Sequence, residues 1–110
     1  TGAAPRAADV NQLLLTACIV EMGAPRHTPA GLPGLDLRLE HESSVEEAGQ
    51  ARQVKAALKA VALGAVAERL GRQTIGSRWR FSGFLASPRH AKSVVFHIQD
   101  FQQDQFQGGS

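Results

Sequence analysis

The residues with the most evident chemical capacity lie in Ser77–Lys92, SRWRFSGFLASPRHAK. Arg78, Trp79, Arg80 and Phe81 alternate basic and aromatic types, the period of a strand with two unlike faces. Gly83 interrupts that strand and Ser87-Pro88 ends it. A turn carrying Arg89, His90 and Lys92 follows, and then the apolar run Val94–Ile98. A cationic strand face beside a cationic loop has the chemistry to hold a polyanion.

The net charge of +2 conceals a sharp division. Five acids and one base, Arg38, lie between Asp36 and Glu47, whereas nine bases and one acid, Glu68, lie between Arg52 and Lys92. Basic charge gathered in one part of a small chain points to an anionic partner such as nucleic acid, with a plain solvated face as the alternative. The basic residues that become candidates for contact with such a partner are Arg26, Arg52, Lys55, Lys59, Arg80, Arg89 and Lys92.

Nucleophilic and metal chemistry find little support. His27, His41, His90 and His97 show no metal-ligand spacing, and Cys18 has no second cysteine. His41 and His97 fall within strand patterns, where a packed or surface histidine is expected, and Cys18 among apolar neighbours reads as a small core residue. No GxSxG, P-loop or GxGxxG occurs. The adjacent Glu46-Glu47 reads as a solvated turn. No catalytic residue, metal or cofactor is expected.

The elements that must carry the basic residues can be taken in order. At 110 residues the chain is expected to form one domain with an aliphatic core, since it holds five Phe, one Trp and no Tyr. The lone cysteine fits a reducing compartment. No apolar run approaches the ~20 residues of a membrane span, and the chain reads as soluble and intracellular. Residues 1–10 read as a disordered leader, 11–103 as the folded domain and 104–110 as a flexible tail.

Leu13–Val20 has strand length and is apolar on both faces, as for a strand buried twice or lying against a second subunit. Gly23–Gly34, with three prolines and three glycines, reads as a loop. Leu35, Leu37, Leu39 and His41 alternate with Asp36, Arg38, Glu40 and Glu42 in a half-buried strand. Ser43–Gly49 reads as an acidic, turn-rich connection.

Arg52–Leu70 supports two readings. Its Ala, Lys and Leu residues favour helix, with Val54, Leu58, Val61 and Ala65 at helical spacing. Yet Val54, Ala56, Leu58, Ala60 and Ala62 also alternate with Lys55 and Lys59 as a strand would. Propensity favours helix. Ala65–Leu70, with Gly71 behind it, reads as a short helix ended by glycine. Gly76 opens the next strand and Val94–Phe101 supplies the last. If the disputed segment begins as a strand, the result is an all-β, five-stranded Greek-key barrel, the OB-fold, with a short helix between its third and fourth strands. If it is wholly helical, a small α+β domain results.

From Asn11 to Gln103 the chain resembles the primosomal replication protein N (PriB) family, small bacterial OB-folds related to single-stranded-DNA-binding proteins. The resemblance is most specific in TPAGLPGLDLRLEHES, residues 28–43, through Pro29, Gly31, Pro33, Leu39, Glu40, His41 and Ser43. VEEAG at 45–49 followed by Arg52-Gln53, then Gly76-Ser77-Arg78, Gly83-Phe84 and His97, continue it. It implies that Arg52–Leu63 is the long third strand, Ala65–Leu70 keeping the helix. It also implies a homodimer that binds single-stranded DNA, contacts the PriA helicase and other primosome proteins at replication forks in the bacterial cytoplasm and nucleoid, and has no catalytic activity.

The resemblance carries unevenly to the binding residues. Arg26 stands at a basic position of the first long loop, and Arg52 at one leading into the third strand. Arg89 and Lys92 stand in the loop before the last strand, which is shorter here. The family's stacking aromatics near the start of the third strand are replaced by Gln50 and Lys55. Binding that leans on phosphate contacts without stacking is expected to be weak and salt-sensitive. Trp79 and Phe81 are expected in the core, opposite Arg78 and Arg80. The alternatives are a primosome protein-interaction adaptor with weak DNA binding and an RNA-binding OB-fold.

Overall fold

Alternation of leucine with charge in Leu35–Leu39 requires a strand with one buried face, and this strand is the spine of the fold. In the computed structural model, which describes residues 9–89 and 92–103, it extends as β3 over Pro33–Glu47. Before it lie β1 (Leu13–Met22) and the two-residue β2 (Arg26–His27). After it come β4 (Gln50–Leu63), α1 (Ala65–Gly71), β5 (Arg78–Ala86) and β6 (Val95–Gln102). The sheet order is β1-β5-β6-β4-β3-β2, and an additional β1–β3 pairing closes it into a five-stranded barrel. Among the described residues only β4 and β6 pair in parallel, with α1 on the connection that leads out of β4. This is the expected OB-fold, with β2 as a small addition inside the first long loop.

The long third strand is confirmed, and the helical reading of Arg52–Leu63 is overturned. Residues 50–63 of β4 pair with β3 along their whole length, and Ala60–Ala62 also pair with β6. Two ladders of backbone hydrogen bonds, with Ala60 and Ala62 buried, outweigh the few tenths of a kcal/mol per residue by which Ala and Lys favour helix.

The expected connection at Ser43–Gly49 is likewise mostly strand. Only Ala48 (φ 54°) and Gly49 (φ 81°) form the turn, the left-handed pair of a two-residue hairpin. Residues 44–53 of this hairpin are all exposed, so its distal half projects from the barrel.

Two glycines act otherwise than expected. Gly71 is the last residue of α1 and is followed by Arg72 in right-handed conformation. The helix therefore ends through the Arg72 and Gln73 N–H groups, which donate to the Arg69 and Leu70 carbonyls, and not through a left-handed glycine. Gly64, at φ 79° and ψ −145°, makes the sharp passage from β4 into α1 instead. Gly83 does not interrupt β5. The strand runs through it beside a register shift at Ser82/Gly83, where β6 carries the extra residue Gln99.

The core gathers Ala17, Ile19, Leu37, Leu39, Phe81, Phe96 and Ile98 inside the barrel, with Leu70 of α1 also fully covered. Phe81 is buried as expected, and Trp79 packs against the core with its ring edge-on to Phe101, centroids 5.0 Å apart. Its indole N–H donates to Ser77 Oγ at 2.8 Å. Residues 1–8 and 104–110, which hold most of the expected leader and tail, and His90 in the basic turn lie outside the described residues.

A Cβ at Gly83 would fall on the backbone carbonyl of His97 and within 2.9 Å of Phe96 Cε1. Gly83→Ala is therefore expected to lower stability by about 3 kcal/mol, through forced separation of β5 and β6. Urea unfolding checks this; an unchanged midpoint contradicts the close approach.

Candidate nucleic-acid interface

Residues opposite each other in an antiparallel ladder share a face, so register alone assembles the outer surface of the barrel. One row crosses four strands: Arg78 of β5, Cys18 of β1, Glu40 of β3 and Ala57 of β4. Beside it Arg80 is opposite Thr16, and Glu42 is opposite Lys55. On the other side Glu21, Arg38 and Lys59 form a third row. Two shallow, open hollows of about 500 Å³ each lie along these rows. The first is lined by residues such as Cys18, Glu40, Glu42, Lys55 and Arg78. The second brings Glu21, Arg38 and Lys59 together with Val95 at the end of the β5–β6 loop.

Carboxylates occupy much of this surface. Lys55 Nζ lies 4.0 Å from Glu42, whose carboxylate also accepts a 2.7 Å hydrogen bond from Gln53. Arg38 pairs with Glu21 at 3.3 Å. Arg26 holds Asp36 through two donors, Nε at 3.1 Å and Nη2 at 3.0 Å. That hydrogen bonding, and then the carboxylate charge, raise the Arg26 pKa above its ordinary value. Arg52 pairs with Glu47 at 2.8 Å.

The seven expected contact residues thus divide. Lys55 and Lys59 project from the outer face of β4, and Arg80 shares that surface across β1. Arg89 and Lys92 are exposed in the β5–β6 loop, which leads into β6 beside Lys59 because Phe96 is opposite Ala60. Arg52, an odd number of residues from Lys55, points to the opposite side of the projecting hairpin. Arg26 sits at the β2 end of the barrel, opposite Gly34 and fastened to Asp36. Lys59, Arg80, Arg89 and Lys92 form no ion pair with another described residue. Lys59 also directly faces Arg38, and like charges so placed repel.

Sequence reasoning missed the interleaved acids. Asp36, Glu40 and Glu42 were legible as one strand face, but only the β3–β4 register brings Glu42 to Lys55. Cys18, expected in the core, is half-buried on the outer side of β1, between Arg78 and Glu40. His41 is a packed residue: its Nδ1 lies 2.7 Å from the Thr16 carbonyl and its Nε2 2.8 Å from Ser43 Oγ. A carbonyl can only accept, so Nδ1 carries a proton and donates it to the Thr16 carbonyl. Among the described residues no three His, Cys, Asp or Glu side chains gather as a metal site.

A closed five-stranded barrel with a short helix after its third strand defines an OB-fold. The family described as another single-strand binding protein family matches residues 11–100. The replication restart protein PriB of Bordetella pertussis is 47% identical over 91 residues, 82% of this chain and 85% of that protein. The solved structure of PriB from Ralstonia solanacearum superposes with a TM-score of 0.78 at 37% identity, covering 86% of this chain and 97% of that one. The single-stranded DNA binding protein of Thermus aquaticus superposes with a TM-score of 0.70 at 25% identity, over 90% of this chain and 52% of that one. The chain belongs to the single-strand binding protein family, among the replication restart PriB proteins.

Proposed function

We propose that the chain is a non-catalytic single-stranded-DNA-binding subunit of the replication-restart primosome, holding DNA mainly by charge. The observation that carries this reading is that Lys59, Arg80, Arg89 and Lys92 have no carboxylate partner among the described residues. Lys59 faces Arg38 beside the loop of Arg89 and Lys92, and Arg80 lies farther off on β5, separated from β4 by β6. Phosphates are suited to such a group, because neutralising them releases condensed counterions. The PriB resemblance further supports contact with the PriA helicase and other primosome proteins in the bacterial cytoplasm. It also supports a homodimer. Along Leu13–Ala17, β1 pairs with β5 on one edge, while pairing with β3 begins only at Cys18. Leu14, 64% exposed, lies on that stretch.

A second reading, a primosome adaptor with weak DNA binding, is favoured by the pairing of Arg26, Arg52 and Lys55 with Asp36, Glu47 and Glu42. Measuring DNA and helicase affinities separately distinguishes the two.

Two outcomes are expected. With about four phosphate contacts at the single-strand slope of ~0.7 each, affinity for oligo-dT should fall about 50-fold between ~50 and ~200 mM salt. Lys59→Glu should lower it further while sparing helicase binding. Tight, salt-insensitive binding in fluorescence anisotropy contradicts the charge-based reading, and an unaltered Lys59→Glu affinity removes that residue from it.

Glu42→Gln should instead strengthen oligo-dT binding by roughly two- to fivefold at low salt, the range of an exposed ion pair released to a new partner. An unchanged or weaker affinity means that the Lys55 face lies off the DNA path.

A further inference from the structure

Phe84 and His97 form a ring stack that the charge-based reading does not use. They are opposite each other in the β5–β6 ladder, with ring centroids 4.9 Å apart and planes inclined by only 10°. Phe96 and Ile98 fill the barrel, so His97 between them points outward, and Phe84 with it. Both residues are half-buried, which leaves part of the pair open to solvent. The extra residue at Gln99 allows Ile98 and Phe101 both to point inward, so the outward position of His97 is compatible with a continuous core.

The surroundings distinguish this pair from an ordinary cross-strand contact. Arg80 lies on the same outer face of β5, four residues before Phe84. At the other end the strands lead through Ala86 and Val95 into the loop of Arg89 and Lys92. None of these cations pairs with a described carboxylate. The acids nearest in register are both engaged. Asp100, opposite Ser82, is held by Arg69 at 3.3 Å. Asp36, which faces the Val61 that lies beside His97, is held by Arg26 at 3.0 Å. Aromatic faces between uncompensated cations are the combination by which single strands are held, bases on rings and phosphates on charge.

We propose that Phe84 and His97 form a base-stacking step on a single-stranded-DNA path over the outer β5–β6 face, with phosphates held by Arg80 on one side and by Arg89 and Lys92 on the other. This rests on the single-strand-binding reading above. It supplies stacking at a place unrelated to Gln50 and Lys55, where the aromatics of the family are missing.

The test uses the full chain, oligo-dT, and an oligonucleotide of equal length and charge with abasic spacers replacing the bases. The wild type should bind oligo-dT about tenfold more tightly than the abasic strand, and Phe84→Leu should lose most of that difference while retaining abasic-strand affinity. Phe84→Trp should keep binding, and its indole emission, measured above the Trp79 background, should be quenched by oligo-dT. If Phe84→Leu does not fold, that quenching decides. A Phe84→Leu chain with undiminished base preference, or an unquenched Phe84→Trp chain that still binds, overturns the platform. A wild type that fails to bind oligo-dT overturns instead the reading on which it rests.

Discussion

Closure of the barrel at Cys18 is the constraint from which the surface follows. β1 pairs with β5 up to this residue and with β3 from it onward, so Cys18 is opposite both Arg78 and Glu40. A register shift between Ile19 and Glu21 lets the strand turn from one partner to the other. Ile19 stays wholly buried there, and its backbone exchanges hydrogen bonds with Ser77 and Gly76 at 3.0 and 2.6 Å. Side-chain parity at the closure point fixes parity on every strand it joins. A slip by one residue would carry Ile19 and Leu39 to solvent and Glu40 into the core. The outer arrangement of charge is therefore secured by burial of the inner leucines, isoleucines and phenylalanines.

That coupling explains why a basic stretch of sequence becomes a surface of mixed sign. β3 must alternate because its leucines face the core, which leaves Asp36, Arg38, Glu40 and Glu42 outside. β4 alternates for the same reason and leaves Lys55 and Lys59 outside. Their antiparallel register then decides which opposite charges meet: Lys55 receives Glu42, while Lys59 receives another cation. Exposed pairs of this type are worth only ~0–1 kcal/mol to the fold. On the charge-based reading their larger effect would be on what the surface can bind.

The parts legible in the sequence were those set by local chemistry. The leucine alternation marked β3, the Trp79/Phe81 alternation marked a core-facing β5, and the glycines and prolines marked the loop after β1. The failures have physical causes of three kinds. β4 is rich in alanine and lysine, which prefer helix in isolation; its two neighbouring strands, distant in sequence, impose the extended form. The hairpin beyond His41 is long because each strand supplies the other's hydrogen bonds, which no composition of SSVEE announces. At the site, alternation revealed faces but not register. Resemblance to a family could therefore recover the third strand, while the pairing of Lys55 with Glu42 and the Phe84–His97 stack needed the folded chain.

The division between cations paired and unpaired among the described residues also bears on how binding would respond to salt. A lysine already compensated by a carboxylate carries a thinner counterion demand than a free one, and a phosphate reaching it must displace that carboxylate. On the proposed charge-based binding, Lys55 and Arg52 would therefore add less to the salt dependence than their number suggests, whereas Lys59, Arg80, Arg89 and Lys92 would carry it. Stacking on Phe84 and His97 would add affinity with little salt dependence, because it neutralises no phosphate. The two proposed kinds of contact would be separable on this barrel by chemistry as well as by position: charge on the face of β4 and in the loop before β6, rings between β5 and β6.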